Sequence, residues 1–134
     1  MKGSCHCGAV SLNVPARPDY LNQCNCTACA KLGTLWGYYL TDAVTIEGSP
    51  LAYARVDSDP PMLHFNFCGS CGATTHWSPT EHHPIDRLGV NMRLFEPDDL
   101  IGLEVRYGDR RNHAAAEPRQ YCRAPTIFQT GAVA

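Results

Sequence analysis

The sequence predicts a mainly β fold, a β-sandwich or open barrel of short antiparallel strands. Turn-forming residues are frequent, with 11 Gly and 10 Pro among 134 residues. They separate short apolar stretches at near-regular spacing, a pattern typical of sandwiches and partly open barrels. Helical periodicity is nearly absent, and the length suits a single domain with one core.

Several short stretches have the alternation, or the β-branched and aromatic content, of strands. The first, 8–14, alternates apolar and polar residues and ends at Pro15. The stretch 35–40 is rich in aromatic residues, and 44–47 ends at the turn signal 48–50. The remaining candidate strands are 51–56, 62–67, 74–77, 87–92 and 103–107.

Two helical turns and a C-terminal tail complete the predicted elements. Residues 27–32 follow a cysteine cluster and end at Gly33. Residues 96–100 place Pro97 near the first helical position with acids in the first turn, as helix starts often do. The strand pattern weakens from about residue 112, so the single domain 1–134 is predicted to have a draped tail over 112–134.

Charge and hydropathy exclude two classes of partner. A net charge of −2 and a pI near 6.3 provide no basic surface for nucleic acid. No stretch approaches the ~18 consecutive apolar residues of a membrane span, and the N-terminus lacks the apolar run of a secretory signal. We therefore predict a soluble cytoplasmic protein with neither a nucleic-acid partner nor a membrane partner.

Seven of the eight cysteines fall into three tight clusters, at 5–7, 24–29 and 68–71. Eight cysteines in 134 residues are fewer than a disulfide scaffold of this length would carry. Thiols stay reduced in the cytoplasm, so clustered cysteines there indicate metal binding more than disulfides or redox pairs. Seven thiols divide most naturally into a closed site of four and an open site of three.

The third cluster has the spacing of a zinc knuckle. Gly69 and Gly72 permit the tight turn that brings two thiolates onto one tetrahedral ion. The first cluster can supply the other half, which would join the N-terminus to the middle of the chain and couple metal binding to folding. We therefore predict a closed structural zinc site. Its ligands are Cys5, Cys7, Cys68 and Cys71.

The middle cluster offers three thiolates, Cys24, Cys26 and Cys29, from one short segment. A zinc ion held by three protein ligands keeps one position for a substrate sulfur or oxygen. A thiol bound there ionises near neutral pH, and a bound carbonyl is polarised. Both effects suit the reversible addition of a thiol to an aldehyde. In the alternative, Cys122 or a histidine closes the site, although a lone cysteine is more often a small buried apolar residue.

Other candidate residues have weaker signals. The aromatic residues Trp36, Tyr38 and Tyr39 are expected in the core, with the wall of a substrate cleft as the alternative. The loop containing His82 and His83 is a candidate source of a catalytic base.

The cysteine motifs resemble those of the glutathione-dependent formaldehyde-activating enzymes, a family whose domain also occurs in centromere protein V. The resemblance covers about residues 3–107 and rests on the motifs at 5–10, 24–33 and 67–72. It implies an Mss4-like fold with structural zinc at the four-cysteine set and substrate-facing zinc at Cys24, Cys26 and Cys29. Two positions differ from the common family pattern, which has His in place of Asn25 and Arg in place of Ala30.

The resemblance also implies an activity, that of a carbon–sulfur lyase. The implied reaction interconverts S-hydroxymethylglutathione with formaldehyde and glutathione. Two zinc ions are the expected cofactors, and a small thiol and an aldehyde are the expected partners. Two other interpretations stay open: a non-enzymatic zinc- or thiol-binding module, and an interaction domain akin to that of the centromere protein.

Overall fold

The computed structural model describes residues 1–114 and 117–131. Over these residues the chain forms short strands in two sheets, one short α-helix and three 3-10 helices. The strands are β1 (Lys2–Ser4), β2 (Ser11–Asn13), β3 (Leu21–Asn22), β4 (Trp36–Tyr39), β5 (Thr45–Glu47), β6 (Leu51–Ala54), β7 (Leu63–Phe67), β8 (Thr74–Pro79), β9 (Leu88–Asn91), β10 (Glu104–Arg106) and β11 (Thr126–Ile127). The helices are α1 (Thr27–Leu32) and the 3-10 helices Thr41–Ala43, Met92–Leu94 and Pro97–Leu100. The predicted mainly β architecture is confirmed.

The two sheets differ in size and in strand number. The smaller sheet has the order β1-β2-β5, and all of its pairings are antiparallel. The larger sheet has the order β11-β10-β3-β4-β9-β8-β7-β6. Over the described ranges neither order closes on itself, so the sheets stay open rather than forming a closed barrel.

One pairing departs from the predicted antiparallel pattern. Strands β10 and β3 are parallel, with Val105 opposite Leu21 and Arg106 opposite Asn22. Parallel neighbours need a long connection, and here the connection contains six other strands. Sequence periodicity reports which residues face one side of a strand, but it does not report the direction of the neighbouring strand.

The main core lies where the smaller sheet packs on the β10-β3-β4-β9 part of the larger one. Leu12, Leu21, Val90 and Met92 are fully buried there. Burying a side chain of this size contributes about 1.5–3 kcal/mol. The other buried members of this core are Val14, Leu35, Leu88, Phe95, Leu100 and Val105. A second buried cluster, separate from this core, contains Cys26, Cys29 and three aromatic residues.

Most of the predicted elements have counterparts in the structure. Helix α1 ends as expected at Gly33, whose φ of 68° is left-handed and which donates its N–H to the Cys29 carbonyl. The predicted turn at 96–100 is a 3-10 helix. Strands β1, β3 and β11 were not predicted, because two or three residues are too few to show alternation.

The chain beyond β10 follows the outer edge of the larger sheet. Strand β11 pairs with β10, and an isolated bridge joins Gly108 to Tyr121. The tail predicted over 112–134 includes residues 115–116 and 132–134, which lie outside the described residues. Among the helices that are described, α1 has only six residues, and none has the length and apolar content to cross a membrane.

Candidate metal centres and cleft

Two turns of the same construction present the four-cysteine set. In the first turn, the Cys5 carbonyl accepts from Gly8 N–H at 3.1 Å. In the second, the Cys68 carbonyl accepts from Gly72 N–H at 2.8 Å. The two glycines have φ values of 82° and 80°, a region that L side chains rarely adopt. The sequence thus folds locally into two matching loops that direct sulfur atoms at each other.

The sulfur atoms of this set are spaced for one tetrahedral ion. The Cys7 Sγ lies 3.7 Å from both the Cys5 Sγ and the Cys68 Sγ. All four sulfurs, including that of Cys71, lie within 4.8 Å of one another. Two thiolates at ~2.3 Å from one tetrahedral zinc are about 3.8 Å apart. The four thiols are free rather than bridged, so the donor set fits zinc.

Backbone amides favour the ionised form of two of these sulfurs. The N–H groups of Ala73 and Cys7 lower the pKa of Cys71 to about 6. The N–H groups of Cys71 and Ser70 lower the pKa of Cys68. Because a thiolate is the form that ligates a metal, these amides prepare the site for a cation.

The four-cysteine set also connects the two sheets. The first turn joins β1 to β2 in the smaller sheet, and the second joins β7 to β8 in the larger sheet. Cys5 and Cys68 are each 1% exposed, whereas Cys7 and Cys71 are exposed. A metal ion held here would therefore crosslink the two sheets, which share no strand ladder over the described residues.

The three-cysteine set is built on the start of α1. Cys26 is the N-cap of the helix, and its sulfur accepts from Cys29 N–H at 3.3 Å. The Cys24 sulfur accepts from Cys26 N–H at 3.4 Å. The three sulfurs lie within 4.8 Å of one another. One helical turn therefore gathers three potential ligands on a single segment.

Two side chains from outside the cysteine segment contact this triad. Trp36 on β4 donates its indole N–H to the Cys29 sulfur at 3.3 Å. The Arg55 guanidinium, just after β6, lies 3.8 Å from the Cys26 sulfur. Hydrogen bonds from Cys24 and Cys29 lower the pKa of Cys26, and the charge of Arg55 acts in the same direction. The contacts within and around the triad thus already favour one ionised thiol. A bound cation would favour ionisation of all three thiols.

Nothing else among the described Cys, His, Asp and Glu side chains joins this triad to complete four ligands. Cys122 is exposed, and its sulfur donates to the Tyr107 carbonyl at 3.5 Å. The expectation that Cys122 is a small buried residue was wrong, because its segment lies on the outer edge of the sheet.

The triad opens into a cleft of about 600 Å³. One wall is aromatic and apolar, and the lining also contains basic side chains. The wall contains Trp36, Tyr38, Leu63, Phe65 and Trp77, and the basic residues that line the cleft are Arg55, Arg87, Arg110 and Arg119. Four arginines face two carboxylates, those of Asp57 and Glu117, in a chain whose net charge is −2. The cleft is therefore an electropositive part of an acidic protein, which favours anionic ligands.

Adjacent strands of the larger sheet produce the aromatic wall. Trp77 on β8 lies opposite Phe65 on β7 and opposite Gly89 on β9. A Cβ atom at position 89 would overlap the indole nitrogen of Trp77. Any other residue at position 89 would therefore displace the Trp77 indole.

Asn25, which lies between Cys24 and Cys26, is held by contacts with the C-terminal part of the chain. Asn25 donates to the Asp109 carboxylate at 2.8 Å and accepts the backbone N–H of Arg111 at 3.0 Å. The Arg111 side chain donates to the Asn25 carbonyl at 3.1 Å. Hydrogen bonds from Asn25 and Asn112 lower the pKa of Asp109, so it accepts as a carboxylate. Asn25 thus anchors the Cys24–Cys26 link to the C-terminal segment.

The histidines divide between surface, cleft and interior. Of the two loop histidines that are candidates for a catalytic base, His83 lines the cleft and His82 is exposed. His76 on β8 is 5% exposed, and burial lowers its pKa to about 4. The structure places none of them within the triad.

The fold and the two cysteine sets define a mainly β protein of the Mss4-like class. The model of the family described as glutathione-dependent formaldehyde-activating enzyme matches residues 1–100. A Halomonas elongata protein named "Putative glutathione-dependent formaldehyde-activating enzyme" is 32% identical over an alignment of length 135, which covers 82% of this chain and 85% of that protein. A crystal structure of a Rhodobacter sphaeroides protein is similar with a TM-score of 0.61 at 27% identity, covering 72% of this chain and 88% of that chain. This chain belongs to the glutathione-dependent formaldehyde-activating enzyme family.

Proposed function

We propose that this protein is a zinc-dependent carbon–sulfur lyase that interconverts a thiol–formaldehyde adduct with its thiol and formaldehyde. S-hydroxymethylglutathione is the adduct that the family suggests. One observation supports the proposal most: three thiols converge in the lining of the cleft, and no fourth protein ligand among the described residues joins them. Catalytic zinc sites keep such an open position, whereas structural sites are closed.

The proposed ligand sets follow the two clusters. Cys5, Cys7, Cys68 and Cys71 would hold a structural zinc ion, and Cys24, Cys26 and Cys29 would hold the substrate-facing one. When bound at the triad, zinc supplies Lewis acidity, which stabilises a thiolate and polarises a carbonyl oxygen.

The residues around the triad fix its geometry and exclude water. Trp36 and Arg55 contact two of the three sulfurs, and Arg55 is itself held by a bidentate contact to Asp57, at 2.7 and 3.0 Å. The Trp36 and Phe65 rings, with centroids 6.3 Å apart, form an apolar surface beside the sulfurs. A small aldehyde on this surface would be shielded from water, which strengthens the electrostatic effect of nearby charges.

The reaction requires two proton movements. On addition, the thiol loses its proton, the sulfur forms a bond to the aldehyde carbon, and the carbonyl oxygen takes a proton. Cleavage of the adduct is the reverse. His83 on the cleft wall is the candidate that moves a proton to or from the oxygen, since the two nitrogens of an imidazole ring can donate and accept a proton.

Exchange spectroscopy by NMR tests the activity directly. Zinc-loaded protein is mixed with formaldehyde and with glutathione or 2-mercaptoethanol, and the exchange between free thiol and adduct is measured. We expect faster exchange than in protein-free buffer, loss of the increase in Cys24→Ser, and an unchanged rate in Cys122→Ser. Exchange at the background rate with every thiol would reject the lyase. Calorimetric binding of a thiol without turnover would then identify a thiol-binding module.

A further inference from the structure

All the polar groups of one residue in the triad segment bind to the C-terminal part of the chain. Asn25 lies between the first two cysteines of the triad, and its backbone and side chain form hydrogen bonds to residues 108–111. Its N–H donates to the Gly108 carbonyl at 3.2 Å, while its carbonyl, amide nitrogen and amide oxygen bond to Asp109 and Arg111. The conformation of Asn25 affects the separation of the cysteines on either side, so these bonds act on the geometry of the triad.

The Asp109 carboxylate is the acceptor at the centre of this contact. Asp109 is 7% exposed. Its carboxylate accepts from the Asn25 amide at 2.8 Å, and from the backbone and side-chain N–H groups of Asn112 at 3.3 and 3.1 Å. The Asp109 carbonyl accepts from the His113 N–H at 3.1 Å. The turn that begins at Asp109 is therefore built around an acceptor that it shares with Asn25.

The 108–113 segment has no apolar side chain, because its sequence is Gly-Asp-Arg-Arg-Asn-His. Burial of apolar surface therefore does not hold it in place. Its position depends on hydrogen bonds, which contribute about 0.5–1.5 kcal/mol each. Segments with few apolar contacts open locally at a low cost in free energy. The four bonds to Asn25 are thus a large part of what keeps the 108–113 segment docked.

The 108–113 segment also contributes to the cleft. Arg110 lines the cleft, as does Ala114 directly after the segment. The family model matches residues 1–100, so this part of the lining lies beyond the matched residues. Loss of the contacts with Asn25 would open the cleft on this side.

We propose that the 108–113 segment is a metal-dependent wall of the cleft: zinc at the triad holds the segment docked, and release of the ion lets it detach. An ion bound by three sulfurs of one short segment fixes the conformation of that segment, and Asn25 meets residues 108–111 in that conformation. Zinc binding and docking therefore stabilise each other by the same factor. The inference rests on the zinc site of the proposed function, and it does not depend on lyase activity.

Hydrogen–deuterium exchange followed by mass spectrometry tests this coupling on the full-length protein. The zinc-loaded protein is compared with the same protein after a chelator has removed one ion, as counted by native mass spectrometry. We expect amide exchange over residues 108–113 to be about tenfold faster or more after removal, while exchange in β8 and β9 stays the same. Cys24→Ser, which is expected to lack the triad ion, should show the same fast exchange and so identify the ion that was removed.

Variants of the contact test the effect of docking on zinc affinity. Asp109→Asn replaces one acceptor oxygen by a donor, and Asn25→Ala removes the amide. Each is expected to weaken zinc binding at the triad by about tenfold or more, as loss of an outer contact of a metal site commonly does, with the ion at the four-cysteine set unaffected. Competition with a chromophoric chelator measures both affinities. Asp42→Asn is the matched control and should keep both, because Asp42 is exposed on the 3-10 helix Thr41–Ala43.

Two results would overturn the coupling. One is release of the triad ion with no change in amide exchange over residues 108–113. The other is a triad affinity in Asp109→Asn and Asn25→Ala that equals that of Asp42→Asn. Failure of the proposed function is a different result: a chain that binds only one zinc ion at saturation would reject the triad site together with the coupling, whereas thiol–adduct exchange at the background rate would reject the lyase alone.

Discussion

Cys68 and Cys24 show how differently the thiols of two candidate metal sites can be placed in one chain. Cys68 is 1% exposed, and its ligand set joins β1–β2 to β7–β8 across the two sheets. Cys24 is half-buried at the cleft, and its set comes from one short segment. Metal binding contributes to folding where the ligands are distant in sequence, and it contributes little where one turn already gathers them.

Serine substitution at these two positions should therefore have different outcomes. We expect Cys68→Ser to lose the folded state, because the crosslink between the sheets is lost and a buried thiolate set is left incomplete. Cys24→Ser should lose one zinc ion per chain and stay folded. Zinc analysis with thermal melting measures both, and Cys122→Ser is the control that keeps two ions. The reverse pattern would mean that the roles of the two sites have been exchanged.

His76 gives a second prediction for a single residue. Burial lowers its pKa to about 4 in the folded protein, against about 6.5 in the unfolded chain. The unfolded state therefore binds a proton below pH 6.5 that the folded state does not bind until about pH 4. Stability is expected to fall as pH falls through this window.

The size of this effect is up to about 2 kcal/mol of unfolding free energy between pH 7 and pH 5. His76→Gln, which cannot be protonated, should have a smaller pH dependence by that amount. Denaturant unfolding of both proteins at the two pH values measures the difference. Any loss of metal at low pH is common to both proteins and cancels. Equal pH dependence would show that His76 is not the buried neutral base described here.

The cleft wall depends on the pairing of whole strands. Strands β4, β9, β8 and β7 are neighbours in the larger sheet, and three of them present aromatic residues while β9 presents Gly89. These strands were predicted from their composition, but their order was not. The pairing of β4 with β9 joins segments about fifty residues apart, and local patterns contain no information on such pairing.

Substitution of Gly89 by alanine tests this arrangement. The added methyl group overlaps the Trp77 indole, so the ring must move into the cleft at a cost of about 1–3 kcal/mol. We expect lower stability and a changed tryptophan emission spectrum. Gly131→Ala is the control, because a Cβ atom there meets nothing within 4 Å. An unchanged melting temperature and spectrum in Gly89→Ala would contradict the described wall.

At the scale of the whole molecule, the features that could be predicted are those that the spacing of nearby residues determines. The spacing of the cysteines was enough to separate a set of four from a set of three. In the structure, the members of each set lie close to one another. The contacts that surround the triad were not predicted. Asn25 meets Asp109 across 84 positions, Arg55 meets Cys26 across 29, and Arg119 meets Tyr38 across 81. These contacts depend on strand order and on the path of the C-terminal segment, which no motif encodes.

The most direct test is an anomalous-difference map recorded from crystals at the zinc absorption edge. We expect two peaks per chain. One should lie within bonding distance of the sulfurs of Cys5, Cys7, Cys68 and Cys71, and the other should contact only Cys24, Cys26 and Cys29, with its fourth ligand from solvent or substrate. A fourth protein ligand at the second peak, or disulfides in place of either ion, would contradict the division into a closed site and an open site.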